Sequence, residues 1–175
     1  MQLEVYRVDN AHKKQVWEVF RKYHYLNTEL HTAANQWVGI LNGELVAHTG
    51  VIQFPMRKGW KRVHRLVVLP DYQGIGIGTA FIKAIAQYYT DNGYVMNLTT
   101  TTPSLVHAMR RSNHWRLIRY GRAKENYSRY SKRYGMKGEH LNNAASTNRI
   151  TYSFNYKGGA DHATKKRTTE RNSKR

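Results

Sequence analysis

Residues 66–80 read Leu66-Val67-Val68-Leu69-Pro70-Asp71-Tyr72-Gln73-Gly74-Ile75-Gly76-Ile77-Gly78-Thr79-Ala80, an apolar run followed by a turn with three glycines. The apolar run suits a buried strand, and Pro70 ends it. The alternating glycines let the backbone turn its N–H groups inward. The apolar pattern after Gly78 predicts a helix that ends near Gly93. Backbone N–H groups at a helix N-terminus bind anions, and phosphate is the usual ligand.

Three kinds of phosphate-binding loop combine a strand, glycines and a helix. The Walker loop needs a lysine after its last glycine, whereas Thr79 follows Gly78 here. The dinucleotide fingerprint needs G-x-G-x-x-G, and the third glycine comes one residue early. The remaining pattern is Q-x-x-G-x-G, from Gln73 to Gly78, which resembles the acetyl-coenzyme A loop of the GNAT superfamily of N-acetyltransferases. The resemblance is strongest over residues 65–80 and covers about residues 1–156.

This resemblance implies an α/β enzyme of the GNAT fold, in which a mixed central sheet of about seven strands is flanked by helices. It implies acetyl-coenzyme A (acetyl-CoA) as the donor and an amine as the acceptor of the acetyl group. The glycine loop would hold the pyrophosphate, and the fourth strand would hold the pantetheine arm and the thioester carbonyl. The expected cofactor-binding residues are Leu66, Val67, Val68, Gln73, Gly74, Ile75, Gly76, Ile77, Gly78 and Thr79.

Hydrophobic periodicity predicts an ordered succession of strands and helices. The first helix should bury one face that contains Val16, Val19 and Phe20. Asn42-Gly43 favours a tight hairpin turn with positive φ, and Gly50 marks a candidate bulge. A short helix or a loop is expected at 29–34. The predicted strands lie at 2–8, 36–41, 44–54, 61–69, 94–100, 115–120 and 149–156, and the predicted helices at 11–23, 78–91 and 102–112.

The chain is strongly basic, and its charge is unevenly spread. Residues 1–106 contain 11 Lys or Arg and 7 Asp or Glu, a net charge of +4, whereas residues 107–175 contain 18 and 4, a net charge of +14. Basic surfaces attract polyanions, so nucleic acid, either DNA or RNA, is the expected partner. The candidate nucleic-acid-binding residues lie in a basic insertion at 121–148, before the last strand: Arg122, Lys124, Arg129, Lys132, Arg133 and Lys137.

Tyrosines alternate with these cations, at positions 120, 127, 130 and 134. They could stack on unpaired bases, in which case they should be exposed. Alternatively, those at 127, 130 and 134 have helical spacing and could pack a short helix onto the sheet, in which case they should be buried. We assign residues 1–156 to one acetyltransferase domain and residues 157–175 to a basic tail that is too polar to fold alone.

Composition narrows the setting. The 175 residues contain no cysteine, which excludes disulfides and thiolate metal sites and suits the cytoplasm. No apolar run approaches the ~20 residues of a membrane-spanning helix. The nine histidines form no H-x-x-x-H or H-E-x-x-H pattern, so we expect no metal site. We also expect that two copies of the chain can form a homodimer.

His64 is the candidate general base. Many GNAT proteins have a glutamate at this place on the fourth strand, and histidine titrates near neutral pH. The alternative is a histidine that only forms hydrogen bonds within the sheet. The usual general acid, a tyrosine in the helix after the fifth strand, is missing here. Solvent could replace it, or one of these residues: His107, Arg111 or a residue of 99–102.

His24-Tyr25 follows the first helix, where GNAT proteins frame the acceptor, so both are candidate catalytic residues. The pair resembles one in Mom-type phage DNA-modification proteins, which lack the orthodox glycine loop that this chain has. The chain also resembles, over residues 65–78, the acetyltransferase domains that are fused to ABC-type ATPases. The alternative for His24-Tyr25 is loop packing. The expected function is acetylation of an amine on, or carried by, nucleic acid; the alternatives are a protein or small-molecule acceptor, and a non-catalytic nucleic-acid-binding protein.

Overall fold

The computed structural model describes residues 2–24, 29–55, 57–122 and 149–158. These residues form one mixed sheet of seven strands and three α-helices, which confirms the predicted α/β class. A short 3-10 turn, Pro70–Tyr72, precedes the second helix. In chain order the elements are β1 (Leu3–Arg7), α1 (Lys13–Arg21), β2 (Asn35–Leu41), β3 (Glu44–Gln53), β4 (Trp60–Val68), α2 (Ile77–Asp91), β5 (Val95–Thr100), α3 (Pro103–Arg111), β6 (Trp115–Arg122) and β7 (Ile150–Tyr156).

The strand order across the sheet is β1-β2-β3-β4-β5-β7-β6. Among the described strands, only β4 and β5 pair in parallel, because α2 carries the chain back across the sheet between them. The sequence 66–93 therefore forms the strand, loop and helix that its pattern predicts. The longest described helix, α2, has 15 residues, and no described helix is both long and apolar enough to cross a membrane.

Two apolar clusters cover the two faces of the sheet. Burial of each large apolar side chain contributes roughly 1.5–3 kcal/mol. One cluster lies between the sheet and the helices α2 and α3. Its fully buried members include Phe81, Ile82, Ile85, Met96 and Phe154. The helix α1 supplies the other cluster, which includes Trp17, Phe20, Val38 and Val67.

The β2–β3 turn and the bulge confirm two local predictions. Asn42 and Gly43 have φ of 52° and 83°, as the Asn-Gly turn requires. The register between β3 and β4 shifts between Gly50 and Val51, where a bulge was expected. The extra residue, however, lies on β4: Gly50 pairs with Arg65 and Val51 with Val63, which leaves His64 unpaired in the ladder.

The first helix is shorter than predicted, and its buried face differs. It begins at Lys13, and its buried residues are Trp17 and Phe20, whereas Val19 is 44% exposed. The predicted face was therefore wrong at Val19. The Trp17 ring packs against the ring of His48 on β3, with the ring centroids 5.3 Å apart. Residues 31–34 form a turn, so the loop alternative holds in the described part of 29–34.

The strand β6 is two residues longer than predicted. Gly121 and Arg122 pair with Thr151 and Ile150 of β7, so they belong to the sheet and not to the predicted insertion. This lengthening places Arg122 at the end of an edge strand. The remainder of the predicted insertion, residues 123–148, lies outside the described residues.

Candidate functional site

The loop between β4 and α2 is exposed, and its backbone is arranged for anion binding. Gly74 and Gly76 have φ of 82° and 90°, in the region that favours glycine. Gly76 is the N-cap of α2. Within the described residues, the N–H groups of Gly74, Ile75 and Gly76 donate no hydrogen bond to the protein. Together with the first N–H groups of α2, they form a set of donors at a helix N-terminus.

Two side chains stabilise this loop. Gln73 Nε2 donates to the Val68 carbonyl at 2.8 Å, which ties the loop to the end of β4. Thr79 Oγ1 donates to the Gly76 carbonyl at 2.7 Å. The one proton of the Thr79 hydroxyl is therefore used within the turn, so Thr79 shapes the loop while its backbone N–H remains directed outward.

Gly78 has a different role from the first two glycines. A Cβ atom at this position would lie 3.2 Å from Val68 Cγ2, closer than side chains normally approach. Gly78 therefore lets the first turn of α2 pack directly on the last residue of β4. This contact holds the loop over the strand end, where the predicted cofactor residues 66–68 lie.

The strands β4 and β5 diverge beside those residues. Their pairing runs only from Trp60 with Val95 to Arg62 with Asn97, although both strands continue. Leu66, Val67 and Val68 pair with β3 on their other side. The backbone groups of β4 that face β5 are thus open from about residue 63 onward. This opening places free main-chain donors and acceptors next to the glycine loop, as the GNAT resemblance implies.

His64, the bulged residue, lies on the same strand before the open segment. Its ring is half-buried and meets the ring of His31 edge-on, with a centroid distance of 6.1 Å. Burial, with smaller effects of Arg65, His31, Arg62 and His24, lowers the pKa of His64 to about 4. At neutral pH the imidazole is therefore uncharged, which leaves a nitrogen lone pair able to accept a proton.

His24 is buried at the end of α1 and is close enough to His64 to affect its pKa. Arg65 Nη1 donates to His24 Nδ1 at 3.1 Å, and Arg65 Nη2 donates to the Glu29 carbonyl at 3.2 Å. Burial, followed by the charge of Arg65, lowers the pKa of His24 to about 4. This geometry links the C-terminal side of α1 to β4. The catalytic role of His24 stays a prediction. Tyr25, its predicted catalytic neighbour, lies outside the described residues.

The candidate replacements for the general acid are engaged elsewhere. His107 Nε2 lies 3.4 Å from Arg111 Nη1 on the exposed face of α3. Thr99 Oγ1 lies 3.1 Å from Ser153 Oγ and 3.3 Å from Asn97 Oδ1. None of these contacts marks a proton donor, so protonation of the leaving group by solvent remains the simplest expectation.

The basic C-terminal third contributes an exposed edge strand. Arg122 lies at the end of β6, and Arg116 and Arg119 on the same strand are also exposed. Tyr120 is 70% exposed and stacks on Tyr152 with nearly parallel rings. The exposure of Tyr120 agrees with a base-stacking role. The other predicted cations lie outside the described residues: Lys124, Arg129, Lys132, Arg133 and Lys137.

Three further residues were not singled out from the sequence. His31 and Arg62 lie near His64, but only the folded sheet brings them there. Lys83 lines a cavity of about 270 Å³ between α2 and α3, together with Thr79 and Ser112. A lysine one turn after the loop is a recognisable signal for phosphate. Within the described ranges, no three His, Asp or Glu side chains gather to bind a metal ion.

The acetyltransferase (GNAT) family model matches residues 3–111 of the chain. This region includes β1, the glycine loop and α3, and it contains both His24 and His64. A search of curated protein sequences finds no match.

Several solved structures share the fold at low sequence identity. A Bacillus subtilis acetyltransferase in complex with CoA is 9% identical, with a TM-score of 0.63 and coverage of 88% of this chain and 97% of that one. An Elizabethkingia anophelis GNAT acetyltransferase with acetyl-CoA bound is 12% identical, with a TM-score of 0.60 and coverage of 86% and 96%. The Escherichia coli ribosomal-protein-S18-alanine N-acetyltransferase is 11% identical, with a TM-score of 0.59 and coverage of 93% and 99%.

Proposed function

The chain belongs to the acetyltransferase (GNAT) family, and from this premise we propose that it transfers an acetyl group from acetyl-CoA to an amine on, or carried by, nucleic acid. The observation that carries the donor half is the set of unpaired N–H groups between Gly74 and Gly76 at the N-terminus of α2. Solved structures with a similar fold contain CoA or acetyl-CoA.

The proposed cofactor site extends from the loop in two directions. The pyrophosphate binds the N–H groups of Gly74, Ile75, Gly76, Ile77, Gly78 and Thr79. The pantetheine arm lies along the open side of β4 at Leu66, Val67 and Val68, where main-chain groups hold it as an added strand would. Lys83 supplies a charge to a phosphate at the cavity between α2 and α3.

Transfer at this site requires an uncharged amine. The amine nitrogen forms a bond to the acetyl carbon, the C–S bond breaks, and the thiolate takes a proton from solvent. His64 accepts the proton that the amine loses and passes it to water. Its imidazole is neutral at pH 7 and so has a lone pair for this proton, although the lowered pKa makes it a weaker base than an exposed histidine. His24 positions Arg65, the residue after His64, and the acceptor meets His64 from the α1 side.

The proposal that the acceptor is nucleic acid rests on charge. Described residues 107–122 and 149–158 contain seven Lys or Arg and no Asp or Glu. The exposed members on β6 form one edge of the sheet, and Tyr120 among them offers a free ring face. Such a combination of cations and an exposed aromatic ring suits a nucleic-acid backbone with unpaired bases.

Two measurements test the two halves separately. Titration calorimetry with acetyl-CoA tests the donor half, and absence of binding would exclude every enzymatic version, including acetylation of a protein or a small molecule. Mass spectrometry of nucleosides, proteins and small amines from cells with and without the protein tests the acceptor half. Acetyl-CoA binding with acetylation confined to protein or small amines would overturn the nucleic-acid acceptor but leave the transferase intact.

A further inference from the structure

Arg62 lies where β4 and β5 separate. It forms the last pair of the parallel ladder, with Asn97, and on its other side it pairs with Ile52 of β3. The bulged His64 follows two residues later and is close enough for Arg62 to lower its pKa. Arg62 is thus at the inner end of the opening that leads to the glycine loop.

The guanidinium of Arg62 has no anionic partner in the part of the chain that the structure describes. Among the described residues it makes no ion pair and no hydrogen bond, and its recorded side-chain contact is the Phe54 ring, 5.9 Å from Cζ. Burial lowers the pKa of this guanidinium. Arg7 of β1 and Arg21 of α1, by contrast, are paired: Arg7 donates to Asn35, and Arg21 contacts Glu18 and Glu29. The arginines of β6 also have no acidic partner among the described residues, but they are exposed to solvent, whereas Arg62 is partly buried. An unpaired, partly buried cation is costly, and an anion at that place removes the cost.

The surroundings of Arg62 also favour an anion as the ligand. The charged groups that affect His64 are Arg65, His31, Arg62 and His24, and none of them is acidic. The neighbouring side chain on β5, Asn97, is a buried amide that donates to Ser153, Asn155 and the Phe154 carbonyl. A polycationic acceptor would be repelled here, whereas an oxyanion would be attracted by Arg62 and held by a planar pair of donors.

We propose that Arg62 forms an anion subsite beside His64 that binds a phosphate group of the acceptor and thereby positions the reacting amine. The proposal rests on the proposed function, because it places the phosphate on the nucleic acid that carries the amine. This phosphate-binding subsite lies in the first half of the sequence and is separate from the basic edge strand β6. Acceptors without an oxyanion near the amine would be poor substrates.

The subsite can be tested without any transfer reaction. The Nε–H resonance of Arg62 in ¹⁵N NMR spectra of the full chain is identified by its loss in Arg62→Gln. Inorganic phosphate and a nucleoside monophosphate should shift this resonance in a saturable way, and acetate should do so much more weakly. Arg57→Gln is the matched control, because Arg57 also faces the Phe54 ring but is exposed on the β3–β4 turn. Phosphate binding should survive in Arg57→Gln.

Kinetics then connects the subsite with the acceptor. Arg62→Gln should raise KM for the nucleic-acid acceptor by about tenfold or more, with affinity for acetyl-CoA unchanged, and Arg62→Lys should restore part of the loss. An Arg62 resonance that phosphate does not move would overturn the subsite. Phosphate that binds at the glycine loop would leave this resonance unchanged. Preference for acetate over phosphate would overturn the phosphate assignment. Failure of acetyl-CoA binding would instead refute the proposed function, since the NMR measurement does not depend on it.

Discussion

Arg65 Nη1 lies 3.1 Å from His24 Nδ1, and this contact joins the end of α1 to the strand that carries His64. An arginine can only donate, so His24 must accept at Nδ1 and carries its proton on Nε2. The contact therefore holds His24 in its neutral form. His24 is buried where it makes this contact, with 8% of its surface exposed.

Substitution of His24 should reduce stability more than it changes chemistry. In His24→Ala the buried guanidinium loses an acceptor, and we expect the free energy of unfolding to fall by about 1–3 kcal/mol. Urea denaturation measures this loss. His107→Ala, on the exposed face of α3, is the control and should stay within about 0.5 kcal/mol of the wild type. A His24→Ala protein with normal stability but no acetyl transfer would instead make His24 a catalytic residue.

Acid should destabilise the protein well above the pH at which carboxylates titrate. The pKa of the buried His48 is lowered to about 3, first by burial and then by the charge of His24, and that of His24 to about 4. An unfolded histidine titrates near ~6.5, so the unfolded state binds protons first as the pH falls. The stabilisation is complete above this pH and is lost between pH ~6.5 and 4, by up to ~1.4 kcal/mol per pH unit for each fully buried histidine.

His48 provides the variant for that measurement. Its ring stacks on Phe20 at 5.3 Å, its Nε2 donates to Gln36, and its Nδ1 has no partner among the described residues. His48→Phe keeps the stacking and removes the titration, so its unfolding free energy should depend less on pH between pH ~6.5 and 4. His12→Phe, at an exposed site, is the control. Equal slopes for wild type and His48→Phe would contradict the neutral buried histidine.

Strain in the glycine loop should affect ligand binding, not only stability. Gly76 has φ of 90°, so Gly76→Ala should cost about 1–2 kcal/mol and disturb the N–H groups that face the proposed pyrophosphate. Gly59→Ala is a matched control, because Gly59 has φ of 78° on the remote β3–β4 turn and open space around it. Both variants should melt at lower temperature, but only Gly76→Ala should weaken acetyl-CoA binding in calorimetry. Equal effects on binding would mean that the loop does not contact the cofactor.

Local chemistry explains what could be predicted from the sequence. The Asn42-Gly43 turn and the glycine loop depend on residues that are adjacent in the chain, and both lie where expected. The contact of His31 with His64 joins a loop to a strand more than 30 residues away and has no local signal. The bulge at His64 likewise depends on the register of β3, because Gly50 alone does not determine which strand carries the extra residue.

Side-chain roles were harder to predict than backbone positions. Val19 fits the apolar period of α1, but the residues that the helix buries are Trp17 and Phe20. Arg62 looks like any surface cation in the sequence, and only the separation of β4 from β5 shows that it is partly buried without an acid. The sequence therefore predicted the strand, the glycine loop and the helix, whereas the contacts around His64 join segments that are distant in the chain.

Binding of nucleic acid should depend on the arginines of β6. Arg119 is exposed on this edge strand, so Arg119→Gln should weaken binding of single-stranded DNA or RNA without altering the fold. If Arg119 neutralises one phosphate, the slope of log K against log salt should become shallower by about 0.7. Arg7→Gln on β1, at the opposite edge of the sheet, should leave the slope unchanged. Affinity that does not fall with rising salt in the wild type would contradict a nucleic-acid partner.

The pH dependence of transfer should identify the role of His64. The pKa of His64 is about 4, and the base must be neutral to accept a proton. Protonation of His64 should therefore lower kcat/KM only as the pH falls towards 4. Protonation of the amine itself causes a separate decrease, at the pKa of that amine. His64→Gln should lower kcat by about 10²–10⁴-fold and remove the limb near pH 4. His31→Gln, which changes the neighbouring ring, should keep that limb. A full rate and an unchanged profile in His64→Gln would remove His64 from the mechanism and leave proton transfer to water.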